Sequence, residues 1–479
     1  MCTQGTSPDE MLGSEDCLYL NLYAPKLPSA SETAPLVPVA VFVHGGSYIN
    51  GASDMFPGDR LVDFWNSLGK GTGIVVTINY RLNVFGFLGA QELRSQDPAN
   101  GSTGNTGIQD QREAFRWVKK NVKAFGGDPS NVMIFGESAG AGSMANHLTQ
   151  PNSFGLYSSV ILESGSFSQW NSQPLSNAQP TYDALLTASG CSSVACLLSL
   201  DEKTLFGLSL TLPQNPNSFY SATGFTPVVD GVELVTHPWL ALDGNNDLNT
   251  EVNILHGSNT DEGSMFVTVP ENATYDDVHE FWVGGKFTDD EIATLNGLYL
   301  DGQTYPDIAD DITGTDYSVN WWAAQRSLGD SFFSCPAKYT SQKLTPLLEA
   351  NKKSLFLYHW EHSSVANKGL VPHGSELEFV FHRDDVMFTN NEADKEMSDV
   401  MSVLWGNFMS SADPNVAAVG VAVTEWKTYD PGDDNSLNLL QSDDIYEMRG
   451  LKDEECSFFN ARTDAILRKD FSHVSLNGN

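Results

Sequence analysis

The segment Gly136-Glu137-Ser138-Ala139-Gly140 has the G-x-S-x-G pattern that presents a serine as a nucleophile. Four apolar residues at 132–135 predict a buried strand before it, and the small residues after it favour the start of a helix. A serine hydroxyl attacks a carbonyl group only when a neighbouring base accepts its proton. A sharp strand-to-helix turn would expose Ser138 to an imidazole on one side and to a substrate on the other. The helix N-terminus also favours the negative charge that develops in such a reaction.

The base that activates Ser138 is expected later in the chain, because the usual order around this motif is nucleophile, acid, histidine. His373 is the best candidate, since it lies between a proline and a glycine in a loop that can aim a side chain at a neighbour. The residues alone leave His256 and His382 as alternatives.

The acid of such a triad is predicted at Glu262. It follows a strand predicted at 252–256 and therefore lies at the carboxyl end of the sheet, where α/β proteins bind their ligands. The neighbouring Asp261 is an alternative that the residues alone do not exclude.

Composition excludes several classes of function. The 479 residues include 61 acidic and 26 basic side chains, and the formal net charge of −35 argues against a nucleic-acid partner. No stretch approaches the roughly 20 apolar residues of a membrane span. Residues 1–30 lack the basic segment and apolar run of a secretory signal.

The six cysteines allow three disulfides in fifteen possible connectivities, and they form no C-x-x-C motif. His359 and His362 superficially suggest a metal pair, but strand periodicity would separate their side chains, so we interpret them as structural and predict no metal. Asn100 and Asn272 begin glycosylation sequons, which matter only in a secreted protein.

Strands and helices alternate along the chain, which predicts an α/β fold with a mostly parallel sheet covered by helices on both faces. Further strands are predicted at 18–23, 39–43, 74–79, 160–162 and 354–360, and helices at 110–125, 397–409 and 456–467. Residues 24–38 and 95–107 are predicted loops. We expect one domain over 1–479, with loop-rich, cap-like insertions around 165–250 and 265–350.

Several blocks of this sequence resemble those of the type-B carboxylesterases, a group that includes cholinesterases, liver-type carboxylesterases and large fungal lipases. The similar blocks are 14–21, 79–81, 85–88, 104–112 and 135–143, and the likeness covers most of the chain. The resemblance implies an α/β-hydrolase fold. It also implies that the N-terminal strands of the family are missing, because the family has some tens of residues before the position of Cys2.

The resemblance implies a catalytic triad of Ser138, Glu262 and His373. It favours Glu262 over Asp261 because the acid of the family directly precedes a glycine in this loop. It further implies that the oxyanion is bound by backbone N–H groups of Gly46, Ser47 and Ala139. Here Ser47 replaces a glycine, and its side chain is expected to narrow the acyl side of the pocket.

The resemblance also implies supporting residues around the triad, namely Glu137, Ser164 and Glu376. Glu137 and Glu376 are expected to form a buried carboxylate pair, and Ser164 is expected to hydrogen-bond Glu262.

The implied disulfides are Cys2–Cys17, Cys191–Cys196 and Cys335–Cys456. Such bonds persist only in an oxidising compartment, so we predict a secreted or otherwise extracytoplasmic glycoprotein.

The predicted function is that of a serine carboxylesterase that hydrolyses small-molecule esters with short- to medium-chain or aryl groups, through an acyl-enzyme and without a cofactor. In cholinesterases and large fungal lipases, the loop equivalent to the one between Cys2 and Cys17 is longer and carries a choline-stacking tryptophan or a lid. Here the loop holds fourteen residues and no tryptophan, so the resemblance implies neither choline esters as substrates nor a lipid-gated lid. A triacylglycerol lipase is the alternative, and a non-catalytic adhesion protein is a third possibility. Candidate aromatic residues for the pocket wall are Trp321, Trp322, Phe332 and Phe333, although aromatic pairs at such spacing are more often core residues.

Overall fold

The computed structural model describes residues 1–25, 35–69, 73–213, 220, 223–244, 247–308, 316–364, 366–367, 369–383, 391–419, 425–441 and 444–472. Most of the predicted loop at 24–38 lies outside these residues.

The strands of the described residues form one large sheet and a small second one. In chain order they are β1 (Leu20–Tyr23), β2 (Val37–Val43), β3 (Ile74–Ile78), β4 (Gly127–Glu137), β5 (Ser159–Glu163), β6 (Gln173–Pro174), β7 (Val228–Val229), β8 (Asn253–Asn259), β9 (Leu355–Trp360), β10 (Asn435–Gln441) and β11 (Asp444–Arg449). The large sheet has the order β1-β3-β2-β4-β5-β8-β9-β10-β11, and β6 pairs with β7. Its edge strands β1 and β11 are antiparallel to their neighbours, and the pairs between them are parallel.

The α-helices are α1 (Asp59–Ser67), α2 (Asn83–Phe87), α3 (Thr106–Asn121), α4 (Ala139–Leu148), α5 (Leu175–Ser189), α6 (Val194–Leu197), α7 (Glu202–Leu210), α8 (Pro238–Ala241), α9 (Tyr275–Gly284), α10 (Asp289–Tyr299), α11 (Val319–Gly329), α12 (Cys335–Ala350), α13 (Leu377–Val380), α14 (Glu392–Ser411) and α15 (Asp453–Asp470). Among them, none combines the length and the apolar character that a bilayer crossing needs.

Side chains of the central strands alternate between two cores, one on each face of the sheet. On β2, Val39, Val41 and Val43 join the core that contains α3 and α4, whereas Ala40 and Phe42 join the core that contains α1 and α14. Because both faces are buried, the strand is apolar along its whole buried length, as parallel sheets require. This arrangement confirms the predicted fold class.

The two insertions differ in their content of regular structure. Residues 165–250 contain α5 to α8 and the small sheet, joined by long connecting segments, whereas most of 265–350 is helical, in α9 to α12. Local signals for two of these helices were present in the sequence, because Thr274 with Asp277 and Thr288 with Glu291 form capping boxes. The apolar residues of α9 and α10 pack against neighbouring helices in a separate cluster and not on the sheet, so these segments lack the simple βα alternation.

The helix predicted at 110–125 starts four residues earlier, at Thr106, and its last turn, Val122–Phe125, is a 3₁₀-helix. The late helices predicted at 397–409 and 456–467 lie inside the longer α14 and α15.

The structure contains disulfides between Cys2 and Cys17, Cys191 and Cys196, and Cys335 and Cys456, the pairs implied by the resemblance. The last one ties the start of α12 to α15 across a separation of 121 residues.

Replacing both Cys335 and Cys456 by alanine is expected to lower the free energy of unfolding by roughly 4–5 kcal/mol, because the unfolded chain regains the entropy of a long open loop. The measurement is denaturant unfolding of the double variant and of a matched Cys191→Ala, Cys196→Ala variant. The latter opens a loop with a separation of only five residues and should lose less stability. Equal losses in the two variants would contradict this expectation.

Candidate active site

Ser138 lies at the turn between β4 and α4, as the motif predicts. Its backbone has φ 55° and ψ −123°, a conformation that L-residues rarely adopt. The two flanking glycines permit this turn, since a Cβ on Gly140 would lie 2.0 Å from the carbonyl oxygen of Val43, and one on Gly136 would lie 2.7 Å from the same atom. The strained turn therefore depends on close backbone packing against β2.

Glu262 and His373 meet although they are 111 residues apart in the chain. Glu262 begins a 3₁₀-helix just after β8, and His373 lies in the loop after β9, which pairs with β8 in parallel. Glu262 Oε2 lies 2.5 Å from His373 Nδ1, and Glu262 Oε1 accepts a 2.7 Å hydrogen bond from the Asn259 N–H. Both side chains are buried. This contact orients the imidazole and stabilises its protonated form.

The alternative residues have partners elsewhere. The Asp261 carboxylate forms an ion pair with Arg326, at 2.9 Å. His256 is fully buried and lies 3.4 Å from the Ser341 hydroxyl, and His382 pairs with Asp399 on α14 at 2.7 Å.

The Ser138 hydroxyl has no hydrogen-bond partner among the described residues, and the second ring nitrogen of His373 faces a different group. His373 Nε2 lies 3.0 Å from Oε1 of Glu137, the residue before Ser138. Burial alone lowers the pKa of His373, but the carboxylates of Glu137 and Glu262 outweigh burial and raise the pKa to about 9.

Three further buried carboxyl groups, those of Glu137, Glu376 and Glu163, interact with one another, and burial raises the pKa of each. Burial, reinforced by neighbouring carboxylates, raises the pKa of Glu137 to about 8 and that of Glu376 to about 7. Burial also raises the pKa of Glu163 well above its usual value, and Trp405 donates a 2.9 Å hydrogen bond to this carboxyl group. Glu137 and Glu163 are register partners on β4 and β5, so two like charges would face each other if both were ionised.

One expected hydrogen bond is different in the structure. The Ser164 hydroxyl donates to Glu376 Oε1 at 3.1 Å, and not to Glu262 as the resemblance implied. The reason is that both Glu262 oxygens already have partners, in the Asn259 backbone N–H and the His373 ring. Ser164 therefore contacts Glu376 and not the proposed catalytic acid.

The backbone N–H groups of Gly46, Ser47 and Ala139 donate to no described residue, as a group of oxyanion donors would require. Ala139 is the first residue of α4, whose N–H has no intrahelical partner. Gly46 (φ 101°) and Ser47 (φ 55°) have left-handed conformations in the turn after β2. Ser47 and Ala139 line the same cavity as Ser138.

The cavity beside Ser138 has a volume of about 310 Å³ and mostly apolar walls. Phe266 and Phe333 line it and also contact the His373 ring, at centroid distances of 5.0 and 4.5 Å. The remaining lining residues are Tyr48, Ile49, Trp170, Tyr220, Thr223, Thr226, Leu328 and Phe332. Such a cavity suits the apolar part of a small organic substrate.

Two of the four proposed pocket aromatics lie elsewhere. Phe332 and Phe333 line the cavity, whereas Trp321 and Trp322 are buried in a separate cluster and stack on Tyr317 and Tyr305 at 3.9 and 5.7 Å. On α11, Trp321 and Trp322 face other aromatic residues of the same insertion, so they are core residues.

Sequence reasoning missed Trp170, Phe266, Leu328 and Tyr220 in the cavity wall. Trp170 and Tyr220 belong to the insertion at 165–250, and Phe266 and Leu328 belong to the insertion at 265–350. No local pattern distinguishes these four from core residues. The buried Glu163 could have been found from the sequence. It ends an apolar strand in the same way that Glu137 ends the neighbouring strand.

Among the described residues, no group of three or more His, Cys, Asp or Glu side chains is arranged to hold a metal ion. His359 Nε2 lies 3.1 Å from the Thr260 hydroxyl, and His362 pairs with Asp394 at 2.8 Å, so both have partners within the fold.

Comparison with known proteins agrees with the geometry. The model of the carboxylesterase family matches residues 1–459. The chain is 28% identical to an acetylcholinesterase of Leptinotarsa decemlineata over 93% of this chain and 72% of that protein. It is 29% identical to esterase E4 of Myzus persicae over 85% of this chain and 74% of that protein. With its α/β-hydrolase fold and a serine turn that lines a cavity, the chain belongs to the carboxylesterase family and is a carboxylic-ester hydrolase.

Proposed function

We propose that this protein is a serine carboxylesterase that hydrolyses short- to medium-chain or aryl esters through a covalent acyl-enzyme, with Ser138, His373 and Glu262 as its triad. The observation that carries the proposal is the 2.5 Å contact between Glu262 and His373 beside the strained serine turn. The apolar cavity of about 310 Å³ that Ser138 lines supports a small ester as the substrate.

In the first half of the proposed reaction, His373 Nε2 accepts the proton of Ser138 while the serine oxygen attacks the ester carbonyl. Glu262 holds the imidazole through Nδ1. The N–H groups of Gly46, Ser47 and Ala139 bind the tetrahedral oxyanion. The imidazolium then returns the proton to the departing alcohol, and the acyl group remains on Ser138.

In the second half, His373 removes a proton from a water molecule that attacks the acyl-enzyme. The carboxylic acid leaves and Ser138 regains its proton. The chain's own side chains supply every proton transfer of this scheme.

A direct assay separates an esterase from a lipase and from a non-catalytic relative. The protein should hydrolyse soluble p-nitrophenyl butyrate and show little activity on emulsified triolein, because the cavity is small. The opposite preference would favour a lipase. Absence of both activities, with no covalent adduct of an organophosphonate at Ser138, would favour the adhesion protein.

The three disulfides support an extracytoplasmic location, because such bonds persist in oxidising compartments. Asn100 and Asn272, the residues of the two glycosylation sequons, are both exposed, as an acceptor site requires.

Replacing Glu137 by Gln is expected to move the acidic limb of the kcat/KM profile to lower pH. His373 acts as a base only when its imidazole is neutral, and the Glu137 carboxylate raises the pKa of that imidazole. Without this charge the pKa falls, and the neutral imidazole persists to lower pH. A shift of about one pH unit would increase kcat/KM about fivefold at pH 8, where Glu137 is partly ionised in the parent.

The measurement is kcat/KM for p-nitrophenyl butyrate between pH 5 and pH 9. The control is Glu137→Asp, which keeps a carboxylate on the same backbone position and should retain more of the parent's pH profile. An acidic limb that stays in place in Glu137→Gln would contradict the role of this carboxylate.

A further inference from the structure

Asp261, the residue next to the proposed catalytic acid, connects three separate elements through one buried carboxylate. Its Oδ1 accepts a hydrogen bond from the Gln325 side-chain amide at 2.8 Å and pairs with Arg326 Nε at 2.9 Å, both on α11. Its Oδ2 accepts a 3.0 Å hydrogen bond from the backbone N–H of Val371. The side chain is 3% exposed, so these donors replace water around a buried charge.

The backbone of Asp261 is joined to the same loop. Its N–H donates to the carbonyl oxygen of Val371 at 2.9 Å, and Asp261 and Pro372 form an isolated parallel bridge. The Asn259 side-chain amide also donates to the Pro372 carbonyl at 2.9 Å. The residues directly before Glu262 and directly before His373 are therefore paired with each other.

The ring of Pro372 links this backbone pairing to the position of His373. It fixes the backbone φ angle between the anchored Val371 and the imidazole of His373, so that little rotational freedom separates them. Any change in the Asp261–Val371 contact is consequently carried to His373.

Helix α11, which binds the Asp261 side chain, also reaches the substrate cavity. A Cβ on Gly263 would lie 1.8 Å from the Gln325 carbonyl oxygen, so the Glu262 loop packs on α11 without a gap. Leu328 of the same helix and Phe333 just after it line the cavity beside Ser138.

We infer that Asp261 is a positioning residue for catalysis. Through Val371 it holds His373 at hydrogen-bond distance from Glu262, and through Gln325 and Arg326 it fixes both to the cavity wall. The Arg326 charge neutralises this carboxylate, which leaves Glu262 as the acid that partners the imidazole. This inference rests on the proposed roles of Glu262 and His373.

The test is Asp261→Asn, which keeps the size of the side chain but puts an amide N–H₂ against one of the donor groups. Displacement of His373 by a fraction of an ångström to about 1 Å should lower kcat about 100-fold, with KM changed less than about threefold. The kcat is measured per site that reacts with an organophosphonate, so that unfolded protein does not contribute.

The matched control is Glu233→Gln, which removes another buried carboxylate that pairs with an arginine, Arg112, and touches none of the triad residues. It should lose stability but keep its kcat per reactive site. A kcat of Asp261→Asn within threefold of the parent, or an equal loss in Glu233→Gln, would overturn the inference.

A second variant covers the case in which Asp261→Asn does not fold. Arg326 is 20% exposed, so Arg326→Gln should be tolerated, and it removes the ion pair while leaving Val371 and Gln325 bound. We expect a smaller decrease, about tenfold in kcat per site, with KM little changed. An unchanged kcat in this variant would overturn the inference.

Proton NMR gives a measurement that does not depend on ester hydrolysis. The proton between Glu262 and His373 should give a strongly downfield resonance in the parent, identified by its loss in His373→Ala. It should shift or disappear in Asp261→Asn and persist in Glu233→Gln. If the parent fails to hydrolyse esters, the proposed function fails, and this resonance alone decides the inference: an unchanged signal in Asp261→Asn overturns it.

Discussion

The Ser138→Ala variant should hydrolyse p-nitrophenyl esters roughly 10⁴- to 10⁶-fold more slowly than the parent and should form no organophosphonate adduct. The acyl-enzyme requires an oxygen nucleophile at the tip of the turn between β4 and α4, and an alanine side chain supplies none. The residual rate should reflect binding and the oxyanion donors alone.

The fold should survive this change. The Ser138 hydroxyl makes no hydrogen bond with the described residues, and it does not cap α4. The turn itself is maintained by the backbone hydrogen bond from the Ser138 N–H to the Glu163 carbonyl at 2.9 Å and by the flanking glycines. Circular dichroism and thermal unfolding should therefore match the parent closely.

The control for Ser138→Ala is Ser143→Ala, on the same helix. The Ser143 hydroxyl is fully buried and donates to the Ala139 carbonyl at 2.8 Å, so its loss affects packing but no reacting group. Its rate should stay within about tenfold of the parent. Comparable activity in Ser138→Ala and the parent would refute the nucleophile assignment.

Replacing Glu262 by Gln should lower kcat roughly 10³- to 10⁴-fold. The Gln amide can donate to Nδ1 of His373, which moves the ring proton to Nε2. An imidazole with a proton on Nε2 cannot accept the proton of Ser138. The effect should be mainly on kcat, because Glu262 does not line the substrate cavity.

This prediction is checked by steady-state kinetics normalised to the number of sites that react with an organophosphonate. The control is Glu361→Gln, which alters a carboxylate 3.6 Å from another buried histidine, His359, outside the site. It should change kcat less than about threefold. A small effect of Glu262→Gln would mean that this contact is structural and that another acid serves His373.

Local sequence was sufficient to predict the nucleophile turn. Gly136 and Gly140 are dictated by backbone contacts within 3 Å, so the motif and its conformation are inseparable. The same holds for the buried strands, whose continuous apolar runs are required on both faces of a parallel sheet.

The partners of Ser138 could not be identified from local sequence pattern alone. Local pattern left Asp261 as an alternative to Glu262, and it left His256 and His382 as alternatives to His373. Only the family resemblance chose between them. The structure separates them physically, because Asp261 is held by Arg326 and Val371 while Glu262 contacts the imidazole.

By itself, the sequence determined the fold class, the serine turn and the supply of cysteines, because these depend on residues that are neighbours in the chain. Tertiary structure alone decided that Glu137 lies against His373, that Ser164 bonds Glu376, and which aromatic side chains line the cavity. The physical reason is that these contacts join segments more than a hundred residues apart, and their geometry is fixed by how β4, β5, β8 and β9 align in one sheet and by how the insertions pack on its edge.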